Sequence, residues 1–172
     1  MKIIISGTPG TGKTEVSKLL AKKLNYRLID INTFAKKNHL ITGTDTDRNS
    51  QIIDENKLRK KSISIEDNTI MEGHLAHYCT ADIAIILRTN PEILRERLKK
   101  RQWPKKKIEE NIEAETLDII LQESVSQNKN TYEIDTTGKT AEKTADTIIN
   151  IIKEEKIRKE HQPGKINWER YI

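Results

Sequence analysis

Glycine, threonine and lysine crowd into residues 7–14, GTPGTGKT, directly after the apolar run IIIS. Such a stretch fills a core poorly, so it must serve something that approaches its backbone closely. Its spacing is G-x-x-x-x-G-K-[ST], that of a phosphate-binding loop. Glycines in such a loop permit torsions that aim successive N–H groups inward, forming a nest for anionic oxygens. A helix beginning near Gly12 adds its unpaired N–H groups and the positive end of its dipole. Lys13 is then expected at the β- and γ-phosphates, and the Thr14 hydroxyl on Mg²⁺. The plainer alternative is a glycine-rich turn at a strand–helix junction. The apolar strand before the loop and the helical pattern after it favour a nucleoside triphosphate site.

A phosphate-binding loop alone does not say where the phosphoryl group goes. The segment LRTNPEILRERLKKRQW carries Arg97 and Arg101 at i, i+4, on one face near a helix end. Guanidinium forks there can hold a transferring phosphoryl group through its charged transition state. Arg95 and Lys99 read instead as solvated surface charges. The following QWPKKK interrupts the helical pattern and suggests a short flap that keeps water from the phosphates. Glu72, in IMEGHLAHYC, ends a strand near the loop, where a carboxylate holds the Mg²⁺ shell. His74 follows, able to orient an attacking water or meet an acceptor, or simply to bond within its loop. His74, His77 and Cys79 lack the spacing of paired zinc ligands. Residues 30–53, with Asp30, Asn32, Thr33 and Arg48, form a long polar segment. It suits closure over an acceptor nucleotide, and a solvent-exposed excursion would look the same.

These residues need a scaffold that gathers strand ends at one edge. Apolar runs predict strands at Lys2–Ser6, Tyr26–Ile29, Asn68–Met71, Asp82–Leu87 and TYEID. Helical patterns fall at Gly12–Asn25, Phe34–His39, Glu55–Ser62, Pro91 to about Arg101, Lys107 to about Gln127, and Ala141–Ile157. Strand and helix alternate, so the expected fold is a three-layer α/β/α sandwich around a five-stranded parallel sheet. The chain's 172 residues suit one domain, followed by a tail, residues 159–172, with a turn at Pro163-Gly164. Trp168 and Tyr171 of that tail could dock on the body or on a partner. A net charge of +5 suits phosphates on nucleotides or RNA, although a lysine-rich solvated surface gives the same balance. Cys79 is the single cysteine, so no intramolecular disulfide forms. The N-terminal apolar run is too short for a signal peptide and no run suits a membrane span, so a soluble, cytoplasmic protein is expected.

Taken together, GTPGTGKT, the EGH of Glu72–His74, ILRTNPEILRERLKKRQW and KKKIEENIEAE resemble the atypical adenylate kinases of archaea and the eukaryotic nucleus. The likeness spans about residues 1–158, and the arginine segment followed by K-I-x-x-N-I-x-x-E is its most particular part. It implies a P-loop fold like that of nucleoside monophosphate kinases, with a short lid at about 100–110 and an acceptor-binding segment at about 30–53. It implies ATP contacts at Gly10, Gly12, Lys13, Thr14 and Glu15, the last through its backbone N–H, with Arg101 on the triphosphate. It further implies adenylate kinase activity, ATP plus AMP to two ADP, alongside ATP hydrolysis. Partners implied are a small-subunit platform ribosomal protein and, through it, pre-ribosomal RNA. Where that family carries D-x-H, this chain has Glu72-Gly73-His74, a carboxylate arm one carbon longer.

Overall fold

A computed structural model describes residues 1–46 and 50–171. Five strands form the parallel central sheet: β1 Lys2–Ser6, β2 Arg27–Asp30, β5 Thr69–Glu72, β6 Ile83–Arg88 and β7 Thr131–Asp135, in the order β2-β5-β1-β6-β7. Crossover helices cover both faces, as the strand–helix alternation requires. One core packs Ile3 and Ile5 of β1 against Val16, Leu20 and Ile148. Ile4 points the other way, onto Ile31, Leu58 and Met71. That alternation along one buried strand makes both faces of the sheet apolar.

Helix α1, Lys13–Leu24, returns from the phosphate loop and packs beside α7, Ala141–Lys153. Helix α3, Glu55–Ser62, forms where the sequence predicts it, capped by the Asp54 carboxylate on the Lys57 N–H at 2.9 Å. Helix α2 starts earlier than its periodicity suggests, at Ile31, because the Asp30 carboxylate accepts the Thr33 N–H at 2.7 Å. The polar stretch after it is no loose excursion. It folds into an antiparallel hairpin, β3 Ile41–Asp45 and β4 Ser50–Ile53. Arg48, expected to serve the acceptor segment, lies outside the described residues.

Two expected long helices are each divided. The helix expected over 107–127 is α5, Lys105–Thr116, and α6, Ile119–Gln127, separated by Asp118 at φ 58°. The cause lies outside the segment. Arg88 Nη2 takes the Glu115 carbonyl at 2.8 Å and pairs with the Asp118 carboxylate, drawing the chain out of helical register. The closing helix likewise splits into α7 and α8, Glu155–Glu160, at the extended residue Glu154. No helix among the described residues is long and apolar enough to cross a membrane.

Candidate active site

The phosphate loop leaves β1 at a point where only glycine fits. Gly7 has φ +139°, and a Cβ there would stand 2.3 Å from the Leu87 carbonyl oxygen of β6. Gly10, at φ +99°, lies against Leu94 and Leu98 of α4, Pro91–Lys100, where a Cβ would come within 2.7 Å of Leu94 Cδ1. Gly12 ends the loop as the N-cap of α1, and no side chain caps that helix. Its first-turn N–H groups, those of Lys13, Thr14 and Glu15, are thus presented to an anion. The loop borders a cleft of about 1310 Å³, to which Gly10, Gly12, Lys13, Thr14, Glu15, Glu72, His74 and Arg101 all contribute. The residues expected to hold the triphosphate and its ion therefore line one cavity, with Asp30 and Asn32 of the acceptor segment, whereas Thr33 does not.

Lys13 is folded back and buried, its Nζ donating to the carbonyls of Gly7 (2.8 Å) and Thr8 (3.0 Å). Burial lowers its pKa to about 8, Glu72 and Glu115 oppose that shift, and the Arg101 charge adds to it. The Thr14 hydroxyl donates to Glu72 Oε1 at 3.1 Å. Two hard oxygen donors thus face each other beside the phosphate loop, a set that suits a Mg²⁺ retaining most of its waters. Thr14 and Glu72 would hold that ion, and what it supplies when bound is neutralisation of phosphate charge.

His74 opens onto the cleft, yet the protein packed around it, and then the charge of Lys13, lower its pKa to about 4. At neutral pH it is an uncharged imidazole, able to accept a proton or a hydrogen bond. Its neighbour His77 is committed elsewhere. His77 is 1% exposed, burial lowers its pKa to about 4, and its ring lies between Ser6 Oγ (Nδ1, 3.1 Å) and Glu123 Oε2 (Nε2, 3.0 Å). Ser6 Oγ also lies 3.2 Å from the His74 carbonyl, so this chain of bonds steadies the turn that carries His74. Burial pushes the Cys79 thiol up to about 12, a core side chain with no reactive character.

The arginines divide more finely than their spacing indicates. Arg101, at the C-terminal cap of α4, stands 5.7 Å from the Trp103 ring, and Lys107 covers that ring at 4.7 Å. Arg97 donates to the Gly10 carbonyl at 3.0 Å, so it touches the phosphate loop itself. Arg95 pairs with Glu109, and Lys99 with Glu96 at 2.9 Å, the surface roles expected of them. Trp103 and Lys107 of the expected flap also line the cleft, as do Thr136 and Lys139, which no motif marked. Beneath the loop lie two residues that the quoted motifs contain but to which the sequence reading gave no role: Arg88, 2% exposed, and Glu115, also 2% exposed. Glu115 accepts the Thr8 hydroxyl at 2.6 Å and Arg88 Nε at 2.8 Å. A charged residue closing an apolar strand, as Arg88 closes IAIILR, was the available signal.

A second cavity, of about 450 Å³, adjoins the first, sharing Asn32 and His74 with it. Gln51, Ile52 and Ile53 of the hairpin, Glu55 of α3 and Leu75 complete its lining. The fold thus offers two compartments that meet at His74.

Residues 3–118 match the model of a family described as AAA domain. The chain belongs to that family. A Methanocaldococcus jannaschii protein named "Putative adenylate kinase" is 45% identical over 176 residues, covering 100% of this chain and 96% of the relative. A Methanosarcina acetivorans protein of the same name is 42% identical over 183 residues, covering 98% of this chain and 97% of its own. Among solved structures, the Bacillus subtilis YorR protein in complex with phosphorylated GDP superposes with a TM-score of 0.61 at 18% identity, over 94% of this chain and 99% of that one. Deoxyadenosine kinase from M. mycoides with bound dATP gives 0.60 at 17% identity, over 90% and 100% of the two chains. These likenesses place the fold among P-loop kinases.

Proposed function

We propose that this protein is a nucleoside monophosphate kinase that transfers the γ-phosphoryl group of Mg·ATP to AMP, giving two ADP, with breadth toward other monophosphates. The observation that carries this is the pair of adjoining cavities, one built on the phosphate loop and one on the segment 30–53, meeting at His74. The names of the archaeal relatives support the same assignment.

Catalysis by this chain is positioning and charge neutralisation, with no covalent intermediate. Amides from Gly7 to Thr14 cradle the phosphates. Lys13, on leaving the Gly7 and Thr8 carbonyls, follows the γ-phosphoryl oxygens. Arg101 and Arg97 line the same volume from α4 and its C-terminal cap, beside the loop. Residues 100–110, with Trp103 between Arg101 and Lys107, act as the lid and limit water around the transferring group. The acceptor's phosphate approaches from the second cavity, past the neutral imidazole of His74.

When that cavity is empty, water takes the acceptor's place, and His74 with Glu72 orients it. A slower ATPase activity follows. Resemblance in the GTPGTGKT, EGH and arginine motifs extends this activity to late maturation of the small ribosomal subunit, with a platform ribosomal protein and pre-rRNA as partners. An ATP-sensitive complex in pull-downs with platform proteins tests that role, and absence of any such complex counts against it. For the kinase, Mg·ATP is mixed with AMP, other monophosphates, and small hydroxyl metabolites, and ADP is followed. Excess ADP with AMP over the no-acceptor control is expected. Excess only with a non-nucleotide acceptor would transfer the chain to the wider group of small-metabolite kinases.

A further inference from the structure

Four ionisable side chains meet beneath the phosphate loop: Arg88, Glu115, Asp118 and Glu133. Stability alone gives no reason for them. Replacing buried ion clusters by apolar residues is often neutral or stabilising, so such a cluster points to some other role. Its connections are directional. On one side, Glu115 accepts the Thr8 hydroxyl at 2.6 Å, and the Thr8 carbonyl in turn holds Lys13 Nζ at 3.0 Å. On the other, Arg88 Nη1 reaches Glu133 Oε2 at 3.3 Å. Glu133, 1% exposed on β7, uses its second oxygen to accept the backbone N–H groups of Lys165 (2.6 Å) and Ile166 (3.0 Å).

Those two amides belong to the C-terminal tail. The tail also covers the outer edge of the sheet, the Glu133 N–H donating to the His161 carbonyl at 2.8 Å. Edge cover would explain that bond. It does not explain two amides aimed at a buried carboxylate. Trp168 seats the tail, 7% exposed and edge-on to Tyr171 at 6.1 Å between ring centres, yet it belongs to none of the three core clusters. Tyr171 makes a second attachment, its hydroxyl accepting Asn90 Nδ2 at 2.5 Å, while the Asn90 N–H donates to Thr137 Oγ1 at 2.8 Å. Thr136, the next residue back, lines the cleft and donates to the Thr11 carbonyl of the phosphate loop at 3.1 Å.

We propose that the docked C-terminal tail sets the conformation of the phosphate loop through Glu133, Arg88, Glu115 and Thr8, making Glu133 and Trp168 positioning residues for the triphosphate. With the tail in place, Glu133 is fixed by two amides and holds Arg88. Arg88 then holds Glu115, and Glu115 holds Thr8 so that the loop carbonyls and Lys13 keep their places. With the tail lifted, water replaces the amides at Glu133 and this restraint is lost. A partner that captures the tail would thereby loosen nucleotide binding from outside the cleft. This inference rests on triphosphate binding at the loop.

Titration calorimetry of the full-length protein with Mg·AMPPNP tests it through a double-mutant cycle. Glu133→Gln keeps an acceptor for the tail but turns an amide toward Arg88. Thr8→Val removes the hydroxyl that Glu115 holds. Each is expected to weaken binding about fivefold or more, and the double variant no more than the weaker-binding single, because both cut one chain. Trp168→Ala, which frees the tail without entering the core clusters, should reproduce the Glu133→Gln loss. Ile151→Val, a core change on α7 off this chain, controls for lowered stability and should leave affinity unchanged. Multiplying losses, unchanged affinity in Glu133→Gln or Trp168→Ala, or an equal loss in Ile151→Val each overturn the proposal. A wild-type protein that takes up no Mg·AMPPNP would instead remove the triphosphate site itself.

Discussion

Lys13 offers a prediction that can be worked through from its surroundings. Burial lowers its pKa to about 8, so it is protonated at neutral pH and loses its proton across a window that proteins tolerate. A phosphate needs the charged form, and the bound anion restores it. Affinity for Mg·ATP should therefore fall as pH rises, by the factor 1 + 10^(pH − pKa). With a pKa of about 8 this factor is about 2 at pH 8 and about 11 at pH 9, the latter a loss of about 1.4 kcal/mol. The phosphates' own second ionisation lies near pH 6, below the window. The neighbours give the direction of two controls. Glu115→Gln removes a charge that raises the pKa and should move the midpoint down. Arg101→Ala removes one that lowers it and should move the midpoint up. The assay is titration calorimetry at pH 7, 8 and 9 in buffers of different ionisation enthalpy, which also counts the proton taken up. Flat affinity from pH 7 to 9 with no proton uptake would refute the reasoning from burial.

Further outcomes follow from individual contacts. Gly7→Ala should cost about 3 kcal/mol or more in urea unfolding, because its Cβ meets the Leu87 carbonyl at 2.3 Å. Gly12→Ala, with φ +93° but nothing within 4 Å, should cost only the strain of about 1–2 kcal/mol. His77 has a folded pKa of about 4 against 6.5 unfolded, so the unfolded chain binds more protons between those values. Its stabilisation is full above pH 6.5 and is lost as pH falls toward 4, by roughly 3 kcal/mol, and His77→Gln should flatten that part of the pH–stability curve. His74→Gly should reduce ATP hydrolysis about 10²-fold while Mg·ATP affinity stays within about threefold; equal loss of both would make His74 purely structural. Lys13→Met should abolish kinase and ATPase activity in a protein whose circular dichroism is unchanged.

What the sequence reveals and conceals has a consistent physical origin. The motif GTPGTGKT and the isoleucine runs are local signals, so the loop, the five parallel strands and α3 were legible. That Glu72, His74 and Arg101 border the loop's cleft was legible because strand ends and helix ends near such a loop converge on it. The breaks at Asp118 and in the polar 41–53 stretch were not legible. The first is imposed by Arg88, which lies 27 residues before Glu115 in the chain. The second concerns a hairpin whose threonines and aspartates read equally well as loop. Glu133 and the tail amides escaped for the same reason: a buried carboxylate in TYEID is recognisable only once its partners from β6 and the C-terminus are placed beside it.

Phosphoryl transfer between two nucleotides is tested most directly by following the phosphorus itself. With γ-³²P-labelled Mg·ATP and excess AMP, the label should appear in the β-phosphate of newly formed ADP faster than in inorganic phosphate. Label confined to inorganic phosphate at every AMP concentration would contradict a kinase and leave only the hydrolase.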